Sequence, residues 1–548
     1  MSTISPSQFS AEGARKLSAR ETMQRLQALS CTLPQTNKPS CSGQLFVGIF
    51  FDGTGNNMAA DFDKPPPEKR KHTNIVKLFQ AMPTLREERR FSYYIPGVGT
   101  PFPDIGDTGG TRGSALGAGG EQRICWALLS LINAPHAYVH GAELIDKALA
   151  KTISSNMSDS SNPAALRRTA LRTWQGKLQA ALKDQKPRVE QINLSVFGFS
   201  RGAAQARVFV NWLFEVCTPK DGGWTFAGIP IRLQFLGIFD TVASVGLGNL
   251  GDAGTLAGHQ SWADNTLEIH PAVEQCVHYV AGHEVRACFP LDSVRVKSTY
   301  PGNAVEVMYP GSHSDVGGGY APGALGIAPR PDLSMSIIPG LSMYKAARVA
   351  GVPLQAWDDL KDYVKIGLTA NTQVIDAFNN YLRDAKVSIG PIEHMLRQHF
   401  THYLSYRFKI RDQFTTQAPY KNASAIKQPD EDYSDQVALQ MTQNALMKRL
   451  SLGMVNPTDT NWQPKEVATL HKNMQKASGF NFKSTYAENL TYDIADRINL
   501  HALTPAIENL CANYIHDSMA GFINFGVNEF ALNGLGIAKF RAVFKGND

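Results

Sequence analysis

Cysteine is scarce in this chain. The seven thiols, Cys31, Cys41, Cys125, Cys217, Cys276, Cys288 and Cys511, are scattered through 548 residues, odd in number and never spaced C-x-x-C. That pattern argues against a zinc ribbon and against a disulfide scaffold. Cys125, Cys217 and Cys511 fall in apolar helical patterns and are expected to be buried free thiols. Long apolar runs are missing too: no uncharged apolar stretch reaches eighteen residues, so no transmembrane helix is expected. The first thirty residues are polar and mixed in charge, without the apolar core of a secretory signal peptide. Excess charge is also small. A net charge of +6 does not call for nucleic acid, and nothing interleaves basic residues with stacking aromatics as a single-strand groove would. A cationic surface patch would still favour anionic lipid by about 1 kcal/mol per well-placed Lys or Arg.

Cofactor signatures are absent as well. Gly106 to Gly120 is rich in glycine but does not spell G-x-G-x-x-G, and it reads as a mobile loop, not a dinucleotide site. His394, His399 and His402 share a helical stretch with Glu393, but the spacing forms no H-E-x-x-H, so no metal is expected there. What remains is a folded composition, 43% hydrophobic and 19% charged, in a chain long enough for several units or one large core with insertions.

Residues 1–43 read as an N-terminal extension, with a weakly amphipathic helix from Ala14 to Leu29 and a Pro/Ser/Thr linker. Gln44 to Phe51 is a near-continuous apolar run, the mark of a central parallel strand. Thr73 to Met82 is expected to be a helix, Phe91 to Ile95 a strand, Glu121 to Ile132 a helix and Ser154 to Pro163 a flexible surface loop. Strand and helix then alternate: Gln191 to Phe197 (strand), Arg201 to Cys217 (helix), Ile231 to Phe239 (strand), Pro271 to Arg286 (helix) and Val305 to Tyr309 (strand). Such alternation predicts an α/β fold over residues 44–340, a mostly parallel sheet with helices on both faces and chemistry at the carboxyl ends of its strands. Residues 341–548 carry helical periodicity in Val374 to Asp384, Ile392 to Phe408, Ser434 to Leu450, Pro464 to Ala477 and Thr504 to Asn524, with polar loops at Gln413 to Asp432 and Asn456 to Trp462.

The sharpest chemical signal is Gly198-Phe199-Ser200-Arg201-Gly202, a G-x-S-x-G placed between an apolar strand and a helix-forming run. That is the context of a nucleophile elbow, where a strained turn lifts a serine Oγ clear of its backbone. Glycines flank the serine because a Cβ there would collide with a neighbouring strand or helix. A serine hydroxyl needs a histidine base, an acid to orient it and donors for the oxyanion. Asp240, ending the strand before Thr241, is the candidate acid. His313, in Pro310-Gly311-Ser312-His313-Ser314-Asp315, is the candidate base, and Asp315 is the rival acid or a support for its loop. The Arg201 N–H and the turn Gly53-Thr54 are the candidate oxyanion donors, each worth about 2.7–4 kcal/mol. Asp52 is read as a brace for that turn. His516-Asp517-Ser518 resembles a triad written in a row, but successive helical residues point about 100° apart and cannot form a relay; its role stays open, in packing near the site or capping a helix.

Four blocks together resemble the signature segments of the first class of type VI secretion lipase effectors, an α/β-hydrolase family. They are Phe50-Phe51-Asp52-Gly53-Thr54-Gly55-Asn56, Gly198-Phe199-Ser200-Arg201-Gly202-Ala203, Phe239-Asp240-Thr241-Val242-Ala243-Ser244 and Gly311-Ser312-His313-Ser314-Asp315-Val316-Gly317-Gly318-Gly319. The resemblance implies a phospholipase A acting on bacterial membrane glycerophospholipids, with Ser200, Asp240 and His313 as the triad. It also implies synthesis in the cytoplasm, delivery to the periplasm of rival bacteria, a secretion-spike carrier and a cognate immunity protein. Two other readings compete: an esterase acting on soluble carboxylic or carbohydrate esters, and a non-catalytic adaptor on a hydrolase scaffold.

Overall fold

The structure is a computed structural model that describes residues 2–30, 42–110, 119–158, 163–242, 261–263, 267–286, 288–428, 432–456, 459, 461–477, 486–523 and 540–545. Cys31, Cys41 and parts of the expected loops at 106–120, 154–163, 413–432 and 456–462 lie outside the described residues, as does Asn524.

Six strands form a parallel sheet in the order β2 (Arg90–Ile95), β1 (Ser42–Phe51), β3 (Arg188–Phe199), β6 (Ile229–Phe239), β7 (Cys276–Ala281) and β9 (Ala304–Tyr309). A short antiparallel hairpin, β4 (Thr218–Lys220) and β5 (Gly223–Phe226), joins the start of β6. A separate parallel pair consists of β8 (Leu291–Ser293) and β10 (Val543–Lys545). Side chains alternate across the strands, and each face of the sheet has its own apolar cluster. Leu45, Val47 and Ile49 of β1, Ile192, Leu194 and Val196 of β3 and Leu236 and Ile238 of β6 pack with helices Gly120–His140 and Arg201–Phe214. Phe50, Phe197, Phe235 and Phe239 enter the opposite cluster with helices Asn74–Gln80 and Ile337–Val349. Helices Thr372–Ala385, Ile392–Lys409 and Pro505–Asn513 contribute Phe378, Phe400 and Leu510 to this second cluster, so the helical region closes over one face of the sheet. No helix among the described residues is long and apolar enough to cross a membrane.

The main correction concerns Pro271 to Arg286. The segment was expected to be a helix, but it contains β7, buried at all six positions. A strand covered on both faces shows no alternation, so a short apolar run there cannot be told from a helix by periodicity. The expected helix from Ala14 to Leu29 is two, Ala11–Arg15 and Ala19–Ser30. Between them Ser18 and Glu21 exchange side-chain and backbone hydrogen bonds in a capping box that restarts the helix. Ser154 belongs to helix Lys147–Ser158, and Pro163 opens the next helix. Part of the loop expected from Gln413 is helical, at Ala418–Asn422. The helix expected over Thr504 to Asn524 breaks after Asn513 and resumes at Ser518. The interruption holds His516 and Asp517, whose side chains are used elsewhere.

Candidate active site

Five parallel strands deliver a polar residue at or just past their carboxyl ends: Asp52 after β1, Ser200 after β3, Asp240 after β6, Glu284 after β7 and His313 after β9. The sheet register holds these ends level, since Phe51 faces Gly198, Phe199 faces Phe239, Phe239 faces Tyr279 and Ala281 faces Tyr309. This is the crevice in which open α/β sheets gather their chemistry.

Ser200 adopts φ 59°, ψ −128°, a strained conformation between strand and helix. The turn is close-packed: a Cβ at Gly198 would lie 2.4 Å from the Gly202 carbonyl oxygen, and one at Gly202 would lie 2.3 Å from that of Asp52. Both glycines are therefore required by backbone approach. The Ser200 N–H donates to the Phe239 carbonyl, and the Val242 N–H donates to the Ser200 carbonyl, tying the elbow to the turn that carries Asp240.

The structure brings His313 to Asp240. Nδ1 of His313 lies 2.5 Å from Asp240 Oδ2, and the ring packs 4.6 Å from that of Phe199, next to Ser200. With Nδ1–H given to the carboxylate, Nε2 is the nitrogen that can accept a proton. Ser200 Oγ makes no hydrogen bond among the described residues, and catalytic contacts in unliganded sites often tighten only on substrate binding. Burial lowers the His313 pKa more than Asp240 raises it, so the resting imidazole is neutral.

Asp240 is fully buried. Burial by itself would raise its pKa, but the Arg541 guanidinium and the His313 contact outweigh it and hold the carboxyl far below the usual range. Arg541 forks onto it, with 2.9 Å to Oδ1 and 2.8 Å to Oδ2, and the Ala281 N–H adds a third donor at 2.8 Å. Alongside, His278 of β7 accepts the Thr241 N–H and contacts Glu306 of β9 through Nδ1, fixing the turn from below.

Asp315 is not positioned as the acid for His313. Its Oδ2 accepts the Ser312 N–H and hydroxyl, capping the short helix His313–Gly317, and its Oδ1 lies 2.6 Å from His516 Nδ1. His516, Asp517 and Ser518 act separately, each on a different element. Asp517 pairs with Arg407 at 2.7 Å, and Ser518 Oγ donates to Glu284 at 3.1 Å. Glu284 in turn accepts the His313 N–H and a two-pronged Arg286 contact; burial would raise its pKa, but Arg286 takes it down to about 2. The segment that looked like a triad in a row is thus a clamp on the histidine loop.

Asp52 accepts from Gly53 N–H (2.8 Å), Thr73 Oγ1 (2.6 Å) and Tyr94 Oη (2.6 Å). Burial raises its pKa to about 7 against these bonds. The Gly53 N–H is therefore already committed, which corrects its assignment as an oxyanion donor. Thr54 N–H has no partner among the described residues, and Thr54 Oγ1 accepts from Arg201 Nε at 2.7 Å. Arg201 is the first residue of the helix that follows Ser200.

Arg541 and Glu284 escaped sequence reasoning for different reasons. Arg541 lies 301 residues from its partner and belongs to no local motif. Glu284 had a signal: once Cys276–Ala281 is a strand, a carboxylate just past its end falls where site residues collect. Of the expected buried thiols, Cys125, Cys217 and Cys511 are free and buried. Among the described residues no group of three or more His, Cys, Asp or Glu side chains could hold a metal ion.

A family model for the catalytic domain of Tle1-like phospholipase effectors of the type VI secretion system matches residues 47–222 and 217–343. A crystal structure of an uncharacterized protein from Pseudomonas aeruginosa is similar over 100% of this chain and 85% of that one, with 24% identity and a TM-score of 0.77, a likeness of fold. A structure of the Tle1 effector bound to the VgrG spike from the type 6 secretion system aligns over 52% of this chain and 53% of that one, with 25% identity and a TM-score of 0.28, too loose a superposition to argue from. No curated protein matches the chain.

Proposed function

The chain belongs to the Tle1-like phospholipase effectors of type VI secretion systems, and on that premise we propose that it is a serine phospholipase A with Ser200 as nucleophile, His313 as base and Asp240 as acid. The observation that carries this reading is the convergence of the strained Ser200 turn with the Asp240–His313 pair at the same sheet edge. Ser200 Oγ attacks the acyl carbonyl carbon of a glycerophospholipid while His313 Nε2 takes its proton. The C–O bond to the carbonyl oxygen becomes single, and the oxyanion accepts from the Arg201 and Thr54 amides. Collapse breaks the ester bond to glycerol, and the proton on His313 passes to the leaving lysophospholipid alkoxide. Water then attacks the acyl-enzyme, giving one proton to His313, and the carboxylic acid departs as Ser200 regains that proton. Asp240 keeps the imidazole in its Nδ1–H tautomer and stabilises the transient imidazolium.

The same reading assigns residues 1–43 to an extension, 44–340 to the catalytic unit and 341–548 to a helical region that contacts membrane or a partner. It has the protein carried by a secretion spike into the periplasm of target bacteria, acting there on the phospholipid surface and neutralised in the producer by an immunity protein. The test is free fatty acid release from phospholipid vesicles. Release by the wild type that Ser200→Ala abolishes supports the reading, equal release by both refutes it, and hydrolysis of soluble esters alone redirects it to a small-ester substrate. Positional analysis of the lysophospholipid assigns the bond cleaved.

A further inference from the structure

Beside the histidine loop lies a second cavity, to which the hydrolytic mechanism assigns no task. Its lining includes Arg70, His72, Lys77, Arg330 and His516, and no carboxylate. Lys77 is 5% exposed. Its Nζ donates to Asn74 Oδ1 at 3.1 Å, and no acidic partner pairs with it among the described residues. A buried ammonium without a counter-ion is costly, and burial alone takes its pKa down to about 8.

Two histidines add unmet hydrogen-bonding capacity. His516 is 2% exposed, its ring stacks 3.8 Å from Tyr320 and its Nδ1 is held by Asp315, yet its buried Nε2 has no partner. Both ring nitrogens of His72 are buried without partners. Burial, reinforced by Lys77 and Arg70, lowers its pKa to about 3. Arg70 spends Nε on the Phe62 carbonyl and lays its guanidinium over the Phe62 ring. At the exposed rim Arg330 is paired with Asp332, and the Ser334 and Ser336 hydroxyls bond to each other at 2.9 Å. Lys77 without a carboxylate partner among the described residues, beside the Arg70 guanidinium and a His72 ring whose N–H is unmatched, is a set of donors that a tetrahedral oxyanion satisfies, since it offers several acceptor oxygens at once.

We propose that this cavity is a phosphoryl-binding site, occupied by the phosphate of a glycerophospholipid headgroup or by inorganic phosphate, and held by Lys77, Arg70 and the N–H of His72, with His516 in its wall. The site goes beyond the hydrolytic reading and does not rest on it, because binding there needs no chemistry at Ser200.

The test is calorimetric titration of the full chain carrying Ser200→Ala, which separates binding from turnover, with inorganic phosphate and sn-glycero-3-phosphoglycerol as probes. Saturable binding of at least one probe is expected, weakened about tenfold or more in Lys77→Gln through loss of a charge-assisted bond. Arg70→Gln, at a half-buried member of the set, is expected to weaken binding about threefold or more. Circular dichroism checks each variant, and if Lys77→Gln does not fold, Arg70→Gln and His72→Phe decide. Tighter binding of the glycerophosphodiester identifies a headgroup site, and equal or tighter binding of phosphate identifies a site for the free ion. Absence of saturable binding by both probes up to about 10 mM, or affinities unchanged in the folded variants, overturns the proposal.

Discussion

Replacing Arg541 by Met tests whether a residue 301 positions from the candidate acid controls it. The side chain is 1% exposed and donates twice to Asp240, while its Nε donates to the Phe289 carbonyl at 2.6 Å. Methionine fills much of the volume but leaves a buried carboxylate without its strongest partner. Breaking such a pair costs about 3–5 kcal/mol, so the unfolding free energy from urea titration is expected to fall by that order. A second effect separates this residue from a merely structural one. In the wild type the Asp240 charge is divided between a guanidinium and an imidazole; without Arg541 it acts on His313 alone. The imidazolium gains stability, the His313 pKa rises, and the acid limb of kcat/KM moves up by about one pH unit. Activity is lost on acidification because protonated His313 cannot accept from Ser200, so a higher pKa means earlier loss. Arg541→Lys, a single point charge without the fork, should fall between. An Arg541→Met protein within about 0.5 kcal/mol of wild type and with an unmoved acid limb would refute the reasoning.

Three further outcomes follow from other contacts. A Cβ at Gly53 would sit 2.5 Å from the Phe199 ring and 2.8 Å from Asn56 Oδ1, so Gly53→Ala should lower ester kcat about a hundredfold by displacing the oxyanion turn. Thr54→Ala keeps its amide and loses only the Arg201 contact, so kcat should fall no more than about tenfold; the reverse order in steady-state kinetics would contradict the assignment. The raised Asp52 pKa, about 7 against an ordinary 3.8, means the folded state holds a proton that the unfolded state releases. Its contribution is full below the unfolded pKa and lost as pH rises through 7, on the order of 4 kcal/mol for about three units. Denaturation across pH 4–8 should show that slope in wild type and not in Asp52→Asn. Finally, Asp240→Asn should lower kcat by about 10⁴ through the wrong imidazole tautomer. Asp315→Asn should lower stability by about 1–3 kcal/mol, through the His516 and Ser312 contacts, and leave the acid limb in place; similar kinetic losses in both variants would reopen the choice of acid.

Much of this arrangement is legible in the chain because its information is local. The strand before Ser200 is apolar throughout, the flanking glycines are demanded by backbone approaches of 2.3 and 2.4 Å, and Asp240 and His313 follow strands that precede obvious turns. Legibility fails where burial erases periodicity or partners are remote. Cys276–Ala281 reads as a helix because both of its faces are covered, and that error hides Glu284. The sequence leaves Asp315, two residues after His313, as a rival to Asp240, 73 residues before it, because a pairing across that separation is not written in the local pattern. What favours Asp240 is its 2.5 Å contact with His313, while Asp315 is engaged in a capping box. Nothing near Arg541 in the chain announces a partner in the catalytic turn, and the His516-Asp517-Ser518 stretch is understood only when Asp315, Arg407 and Glu284 are seen around it.

The central claim, that Ser200 is the nucleophile activated by the Asp240–His313 pair, is tested most directly by covalent trapping. The folded protein is treated with a fluorophosphonate, and the labelled peptide is mapped by mass spectrometry. The account predicts one phosphonyl group per chain, on Ser200, with labelling lost in Ser200→Ala and slowed by orders of magnitude in Asp240→Asn. A label on another residue, or equal labelling of Ser200→Ala, would contradict it.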